Sequence, residues 1–201
     1  MTTGQQPGGP QMGNPRTSEP EPGGPEMSEP EPGGPEMSEA GMTEPGVGLT
    51  HLDERGAARM VDISGKPVTT RTATARGLVR LNAAAVAALR DDTLPKGDAL
   101  AVARIAAIQA AKHTADLIPL CHPLPLSAVN VDLAVVDEGV RLEVSVRTTS
   151  RTGVEMEALT AVSVGALTVI DMTKAVDKHA TITDVRVVAK AGGRSGDWSV
   201  A

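Results

Sequence analysis

The sequence predicts an α+β domain in which helices cover one face of a four-stranded antiparallel sheet, preceded by a disordered tail. Alternation of apolar and polar residues indicates strands in four places, and helical periodicity indicates three helices between them. Prolines and glycines interrupt the pattern at the connections. The resulting order of strand, two helices, hairpin, helix and strand fits a ferredoxin-like arrangement with its helices gathered on one side.

The first 46 residues differ in composition from the rest of the chain. They hold ten of the 15 prolines, ten of the 21 glycines and eight glutamates against one arginine, and SEPEPGGPEM at 18–27 repeats unchanged at 28–37. Such a sequence buries too little apolar surface to offset the entropy of ordering it. We therefore expect a disordered tail over 1–46 and one domain over 47–201. Removing the tail's charge of −7 from the chain's −6 leaves this domain near neutral, at +1.

The first half of the domain predicts one strand and two helices. Residues 68–81 alternate β-branched with other side chains and predict the first strand. Asn82 is a good N-cap for a short helix that ends near residue 90, and a loop containing a proline follows. Asp98 similarly caps a second helix that ends near residue 112. Three prolines then favour extended chain, at Pro119, Pro123 and Pro125.

The second half predicts a hairpin, a helix and a strand. Segments 129–136 and 140–148 flank the turn Asp137-Glu138-Gly139, which is typical of a hairpin. Thr152 and Glu155 form a capping box for a third helix that ends near residue 176. Residues 181–189 supply the last strand. This interpretation assigns Glu155 to the helix cap and leaves it out of the functional site.

Two of the helical segments, 99–111 and 158–170, are apolar almost all the way round. In a small domain such a helix needs cover on a second side, and thirteen residues are too few to cross a membrane. Subunit association is the simplest explanation, so we expect a homo-oligomer.

The sequence shows no sign of a secretory signal or a membrane span. No basic N-terminal segment leads into an apolar stretch, and no run of 18 apolar residues occurs, so we expect a cytoplasmic protein with no membrane span.

Composition argues against nucleic-acid binding and against a metal site. The chain has no Phe or Tyr and a single Trp, so it lacks aromatic platforms for stacking bases, and the domain's charge is near zero. One cysteine and four histidines show no paired ligand spacing, and no iron–sulfur cluster can be built from them. Cys121 stands beside a histidine, which leaves a nucleophile open as an alternative to a small buried hydrophobe.

Four segments, 49–77, 96–126, 152–178 and 189–198, carry a family resemblance, and LIPLCHPL and TGVEMEALTA are their most specific signatures. They resemble the cyclic pyranopterin monophosphate synthases of molybdenum cofactor biosynthesis. The resemblance implies ferredoxin-like subunits, a hexamer made of dimers, and sites at the dimer interface. It also implies a lyase that converts a small nucleotide-derived substrate, (8S)-3′,8-cyclo-7,8-dihydroguanosine 5′-triphosphate, to cyclic pyranopterin monophosphate with release of pyrophosphate.

The resemblance also implies which residues form the site. Catalytic roles fall to Lys96 in KGD and to Asp171 and Lys174 in IDMTK. We expect no cofactor and no protein-bound metal, while Mg²⁺ that accompanies the triphosphate remains an open alternative. Arg194 stands where the family more usually carries lysine, which leaves its contribution undecided. The implied substrate-binding residues are Arg71 in TTRTATA, Leu120, Cys121 and His122 in LCHPL, and Met156 and Glu157 in VEME.

These residue types suit the implied chemistry. Expelling pyrophosphate requires cations near the phosphates, and Lys96 precedes a helix N-terminus, which also favours anions. Rearranging the rings requires proton transfers, for which Asp171 is the general acid/base candidate, with Lys174 three residues on and able to set its pKa. The residues alone favour a solvated loop lysine for Lys96 and an ordinary surface ion pair for Asp171 and Lys174, and the resemblance reverses that order. His122 could equally be a structural hydrogen bonder.

Two other classes of function stay open, because a fold does not dictate an activity. One is a non-catalytic oligomeric scaffold or anion-binding protein, and the other is a different nucleotide-processing lyase.

If the chain is a synthase of this family, the spacing of two of its site residues matters. Glu157 and Asp171 lie fourteen residues apart on one predicted helix, roughly 21 Å along its axis at about 1.5 Å per residue. One compact site cannot easily use both from one chain. The spacing predicts that Glu157 and Asp171 of each site come from different subunits of a dimer.

Overall fold

Residues 69–80 form the longest unbroken run of sheet pairing in the computed structural model, which describes residues 55–194 and 196–200. The tail predicted over 1–46 lies outside the described residues, and the domain boundary after residue 46 stays a prediction. In chain order the elements are β1 (Thr69–Arg80), α1 (Ala83–Arg90), α2 (Ala99–Lys112), α3 (Thr114–Leu117), β2 (Leu126–Val136), β3 (Gly139–Ser150), α4 (Glu155–Thr173), β4 (Thr181–Ala191) and β5 (Trp198–Ser199).

The sheet has the strand order β2-β3-β1-β4-β5, and all neighbouring strands are antiparallel. The first four positions follow the order of a βαββαβ ferredoxin-like fold, which confirms the predicted class. The described residues contain a fifth strand that was not predicted, in which Trp198 and Ser199 pair with Lys190 and Ala189. Two residues are too few to produce a recognisable alternating pattern, so this strand could not be predicted from the sequence.

The two long helices lie side by side on one face of the sheet, as predicted, with α4 over β1, β3 and β4 and α2 over β2. Their close approach depends on small residues. A Cβ added at Gly165 would lie 3.1 Å from the Leu142 side chain and 3.3 Å from the Cβ of Ala107. A Cβ added at Gly77 would lie 2.7 Å from Cγ1 of Val162. Glycine at these two positions therefore lets α4 pack closely against both α2 and β1.

Two details of the helices differ from the prediction. The α4 helix ends at Thr173, three residues before the predicted end at 176, and Lys174 is its C-cap. A four-residue helix, α3, occupies Thr114–Leu117, where the sequence predicted extended chain. One helical turn is too short to establish a periodic apolar pattern, so the prediction for this segment rested on the prolines that follow it.

Both long helices keep apolar side chains on the surface of the single chain. Val102 and Ile105 of α2 are 47% and 61% exposed, and Leu167 of α4 is 57% exposed. Among the helices of the described residues, α4 alone is long and apolar enough to cross a bilayer by length and composition, and 56% of it is buried inside the domain. Its full length of 19 residues exceeds the thirteen-residue apolar segment noted in the sequence.

Candidate active site

A cavity of about 1000 Å³ opens beside the first turn of α4. Its walls come from distant parts of the chain that the sheet brings to one edge, since Thr69 pairs with Ser150 and Thr72 pairs with Ala191. The start of β1, the end of β3 and the end of β4 therefore meet there. All six residues that were predicted to bind substrate line this cavity: Arg71, Leu120, Cys121, His122, Met156 and Glu157.

The three predicted catalytic residues lie together at the other end of α4. Lys96 Nζ donates to Asp171 Oδ2 at 2.7 Å and to the Asp171 carbonyl oxygen at 2.8 Å, while Lys174 Nζ lies 2.6 Å from Asp171 Oδ1. The hydrogen bonds from Lys174 and then from Lys96 lower the pKa of Asp171 to about 2. Asp171 is therefore ionised at neutral pH, and in this resting arrangement it can accept a proton but has none to donate.

A small apolar contact holds the Lys96 loop against the end of α4. Leu94, two residues before Lys96, packs in one buried cluster with Met172, which follows Asp171. Lys96 does precede the N-terminus of α2, but the Asp98 carboxylate already accepts a hydrogen bond from an amide of that helix at 2.9 Å. The helix end is thus partly neutralised, and the two lysines supply most of the positive charge that an anion would meet here.

Glu155 belongs to the cavity, contrary to the prediction. In the described residues no side chain caps α4, whose N-cap residue is Val154. The Glu155 carboxylate instead accepts a hydrogen bond from Lys190 Nζ at 3.0 Å, and both residues line the cavity. The prediction of a capping box formed by Thr152 and Glu155 is therefore wrong. A charge-assisted hydrogen bond from a cation on β4 is stronger than a hydrogen bond from a neutral helix amide, so the Glu155 carboxylate binds the cation.

Two acidic groups of the cavity lose their protons less readily than usual. Glu157 is only 4% exposed, and its burial, aided by the charge of Glu155, raises its pKa to about 7. Burial, followed by the charge of Glu157, also raises the pKa of the Cys121 thiol. Because the thiolate is the nucleophilic form, these surroundings favour the small-hydrophobe interpretation of Cys121 over the nucleophile.

His122 is half-buried in the cavity wall. Among the described residues its ring has no hydrogen-bond partner, and the structural hydrogen-bonding role considered for His122 is therefore not observed there. Aliphatic side chains and one thioether continue the wall beside it: Val61, Ile63, Leu120, Leu124 and Met156. The histidine nitrogens are thus available to a ligand that packs against this apolar side.

Arg71 connects three walls of the cavity. Its Nε donates to the Ser150 carbonyl oxygen and its Nη2 to the Arg151 carbonyl oxygen, both at 3.2 Å. Its guanidinium also lies against Gly193, where an added Cβ would collide with it. Arg71 therefore fastens the connection between β3 and α4 to β1 and supports the glycine-rich loop after β4, in addition to lining the cavity.

Several cations of the cavity were not predicted from the sequence. Lys66, Arg151 and Lys190 line it without having been assigned to the site, and so does Arg194, whose contribution was left undecided. Their positions beside the signature segments were the available signal, because Arg151 directly precedes TGVEME and Lys190 and Arg194 flank a pair of glycines. Among the ion pairs of the described residues, only Lys190 of these four has an acidic partner.

Within 55–194 and 196–200 no group of three or more His, Cys, Asp or Glu side chains is placed to hold a metal ion. The expectation that the protein holds no metal or cofactor stays a prediction, which chelation can test.

Comparison with known proteins gives consistent matches. A model of the MoaC family matches residues 60–193. Three curated relatives are each named cyclic pyranopterin monophosphate synthase. The protein of Streptomyces avermitilis is 67% identical over 151 residues, which cover 75% of this chain and 89% of that protein. A Nocardioides relative is 64% identical over 154 residues (75% and 94%), and that of Corynebacterium glutamicum strain R is 60% identical over 152 residues (76% and 97%). The chain therefore belongs to the MoaC family.

Proposed function

We propose that this chain is an enzyme that makes cyclic pyranopterin monophosphate, a lyase step of molybdenum cofactor biosynthesis. Its substrate is (8S)-3′,8-cyclo-7,8-dihydroguanosine 5′-triphosphate, and its second product is pyrophosphate. The observation that carries the proposal is the cavity at the start of α4. Its volume is about 1000 Å³, and its lining includes carboxyl groups, a histidine and several cations. A nucleotide-sized ligand with a charged end and a ring end matches such a mixed lining.

The cavity has a cationic side for the triphosphate. Among the residues that the structure describes, five basic side chains line it and two acidic ones, Glu155 and Glu157, oppose them. Glu155 is already paired with Lys190, and the pKa of Glu157 is raised to about 7. The cavity therefore carries excess positive charge within a domain whose net charge is near zero. A triphosphate would supply the missing negative charge, and arginine and lysine are the usual phosphate ligands.

The ring system would occupy the apolar side. Because the domain has no Phe or Tyr, a flat heterocycle has to pack on aliphatic groups and on the polarisable thioether of Met156. His122 and Glu157 both line the cavity, and burial raises the pKa of Glu157 to about 7, so this carboxyl group can exchange protons near neutral pH. Opening one ring and closing another requires such groups within reach of the heterocycle.

Release of pyrophosphate is a displacement at the α-phosphorus. A sugar hydroxyl oxygen bonds to the α-phosphorus as the bond from that phosphorus to the bridging oxygen breaks. The hydroxyl proton passes to a base, and the bridging oxygen leaves with the electron pair as part of pyrophosphate. Lys96 and Lys174 supply positive charge for the developing negative charge, and the ionised Asp171 between them can take a proton.

The two sets of residues lie too far apart to serve one site within a single chain. Glu157 and Asp171 occupy the same continuous helix, so about 21 Å of helix axis separates them. We propose that each site joins the cavity of one subunit to the lysine cluster of its dimer partner. Exposed apolar side chains on both long helices, such as Ile105 and Leu167, offer surface for this association. The proposed assembly is a cytoplasmic hexamer made of dimers.

Turnover distinguishes this function from the alternatives. Purified full-length protein is incubated with the cyclic dihydroguanosine triphosphate, and pyrophosphate and pterin product are measured. We expect both products in equal amounts. Neither product from a folded oligomer would reject an enzyme of this kind and favour an anion-binding scaffold. Pyrophosphate without the pterin would favour a different nucleotide-processing lyase.

A further inference from the structure

Asp177 is a buried carboxylate that joins two distant parts of the chain. It lies four residues after the end of α4 and is 4% exposed. Its Oδ2 accepts a hydrogen bond from the Asn82 amide at 2.6 Å, and its Oδ1 accepts one from the His179 amide at 2.9 Å. These two bonds, that from Asn82 above all, lower the pKa of Asp177. The carboxylate therefore ties the segment after α4 to the residue that caps α1.

The chain between Asp177 and Lys174 is a short hydrogen-bonded turn. The Asp177 and Val176 amides both donate to the Thr173 carbonyl oxygen, at 3.0 Å and 2.8 Å. The side-chain amide of Asn82 adds a hydrogen bond to the Val176 carbonyl oxygen at 3.4 Å. Because Lys174 lies inside this turn, a displacement of Asp177 would also displace the backbone that carries the lysine.

The other arm of the connection leads through α1 to Lys96. From its cap the chain continues as α1 and then as the loop that carries this lysine. Leu94 of the loop packs in one buried cluster with Met172 of α4, and Val176 packs against the same cluster, as do two side chains of α1. The Asp177 carboxylate thus closes a ring of chain around this cluster, with one lysine on each arm.

A carboxylate suits this position better than a neutral side chain does. Both of its oxygens accept hydrogen bonds, whereas an asparagine offers one acceptor and an amino group that would face a backbone donor. Among the ion pairs of the described residues none includes Asp177. Its charge is held by backbone amides, so its structural effect is to fix two backbones relative to each other.

We propose that Asp177 is a positioning residue, which holds Lys96 and Lys174 on either side of Asp171 in the arrangement that pyrophosphate release requires. Lys96 Nζ lies 2.7 Å and Lys174 Nζ 2.6 Å from the Asp171 carboxylate, and both contacts depend on where the two backbones stand. A reacting group misplaced by about 1 Å can lose on the order of 100-fold in rate. This role rests on the proposed function, because it acts through the lysines assigned to that step.

Steady-state kinetics of Asp177→Ala and Asp177→Asn test this role. We expect kcat per folded oligomer to fall at least about tenfold in Asp177→Ala, with KM changed by less than about threefold, because the lysines act on charge that develops after the substrate has bound. Asp177→Asn keeps one acceptor and should lose less. Val144→Ala, which shortens a buried side chain in the middle of β3, controls for lost stability and should keep the wild-type kcat.

Combination with Lys174→Ala separates positioning from a general structural effect. If Asp177 acts through the lysines, Asp177→Ala should lower kcat much less in the Lys174→Ala background than in wild type, while its effect on the thermal midpoint should be the same in both. An equal fall in kcat in the two backgrounds, or wild-type kcat in folded Asp177→Ala, would overturn the proposal.

Amine labelling of the full-length oligomer gives a readout that needs no turnover. Acetic anhydride modifies the neutral amine, and an ion pair slows the reaction by keeping the ammonium protonated. Mass spectrometry should show faster labelling of Lys96 and Lys174 in Asp177→Ala than in wild type, each measured relative to the exposed Lys112.

The labelling rates also separate this inference from the proposed function. Wild-type rates at both lysines in folded Asp177→Ala would overturn the positioning role, even if the protein turns over the cyclic triphosphate. Faster labelling of the two lysines would support it, even in a protein without turnover. If Asp177→Ala fails to fold, Asp177→Asn is judged by the same rates and the same kinetic constants.

Discussion

Glu157 and Asp171 occupy opposite ends of one unbroken helix, and their surroundings drive their acidities in opposite directions. Glu157 is buried, with its pKa raised to about 7, whereas Asp171 lies exposed between two lysines, with its pKa lowered to about 2. One carboxyl can therefore exchange protons near neutral pH, and the other stays ionised. The helix keeps them about 21 Å apart, so a site that uses both has to draw on two chains.

Mixed oligomers of two inactive variants test this sharing. Glu157→Ala and Asp171→Ala, each nearly inactive alone, are unfolded together and reassembled. In a mixed dimer one site receives both substitutions and the other receives none, so random pairing should restore about a quarter of wild-type sites. Asp171→Ala mixed with Lys174→Ala is the control and should recover nothing, because both changes fall in the same cluster. No recovery in mixed oligomers verified by mass spectrometry would contradict shared sites.

The two lysines beside Asp171 should matter for rate and little for stability. We expect Lys96→Ala and Lys174→Ala each to lower turnover by at least about 100-fold, since each removes a cation from the charge that develops during pyrophosphate release. Their thermal midpoints should stay close to that of wild type, because both ion pairs are exposed to solvent. Lys112→Ala, an exposed lysine at the end of α2, provides the control. Wild-type turnover in either variant would exclude that lysine from the mechanism.

Burial of Glu157 predicts a pH-dependent stability. Its pKa rises from 4.5 in the unfolded chain to about 7 in the fold, so the folded state binds the proton more tightly. This residue therefore favours folding most below pH 4.5, and its contribution falls as the pH rises from 4.5 to 7, by at most about 3 kcal/mol. Glu157→Gln, which stays neutral, should gain stability relative to wild type across this range.

Urea unfolding at several pH values measures this difference. Glu138→Gln, an exposed glutamate in the turn between β2 and β3, should follow the wild-type pH dependence and serves as the control. A constant difference between Glu157→Gln and wild type from pH 4.5 to pH 8 would show that Glu157 titrates normally in the folded protein.

Removing the tail should leave the enzyme intact. Residues 1–46 carry no segment that resembles the family, and their composition cannot contribute to a core. We expect a variant that begins at residue 47 to match the full chain in turnover and in oligomer size by light scattering. A large loss of either property would assign the repeat a part in catalysis or assembly.

Chelation tests the proposal that the protein holds no metal. Dialysis against EDTA should leave the thermal midpoint unchanged, because the described residues contain no group of three metal-ligating side chains. If Mg²⁺ enters with the substrate, turnover lost after chelation should return on adding Mg²⁺ in proportion to the triphosphate present. A fall in thermal stability on chelation would indicate a structural metal ion and contradict the proposal.

Features encoded in neighbouring residues were predictable. The first strand and the ends of the first two helices agree with the predicted bounds of 68–81, 90 and 112 to within one residue. The caps were also correct, since Asn82 and Asp98 each accept a hydrogen bond from the amide three residues on. Alternation, helical periodicity and capping act over a few residues, so the sequence displays them directly.

By itself, the sequence determined the fold class, the family resemblance and the grouping of candidate residues into motifs. Only the tertiary structure decided which motifs share a cavity, that Glu155 pairs with Lys190 instead of capping a helix, and that Arg151 holds the turn of Lys66. Those partners are 35 and 85 residues apart in the chain. They meet because antiparallel register carries the ends of β1, β3 and β4 to one edge, and a pattern of neighbouring residues does not reveal which distant side chains a register brings together.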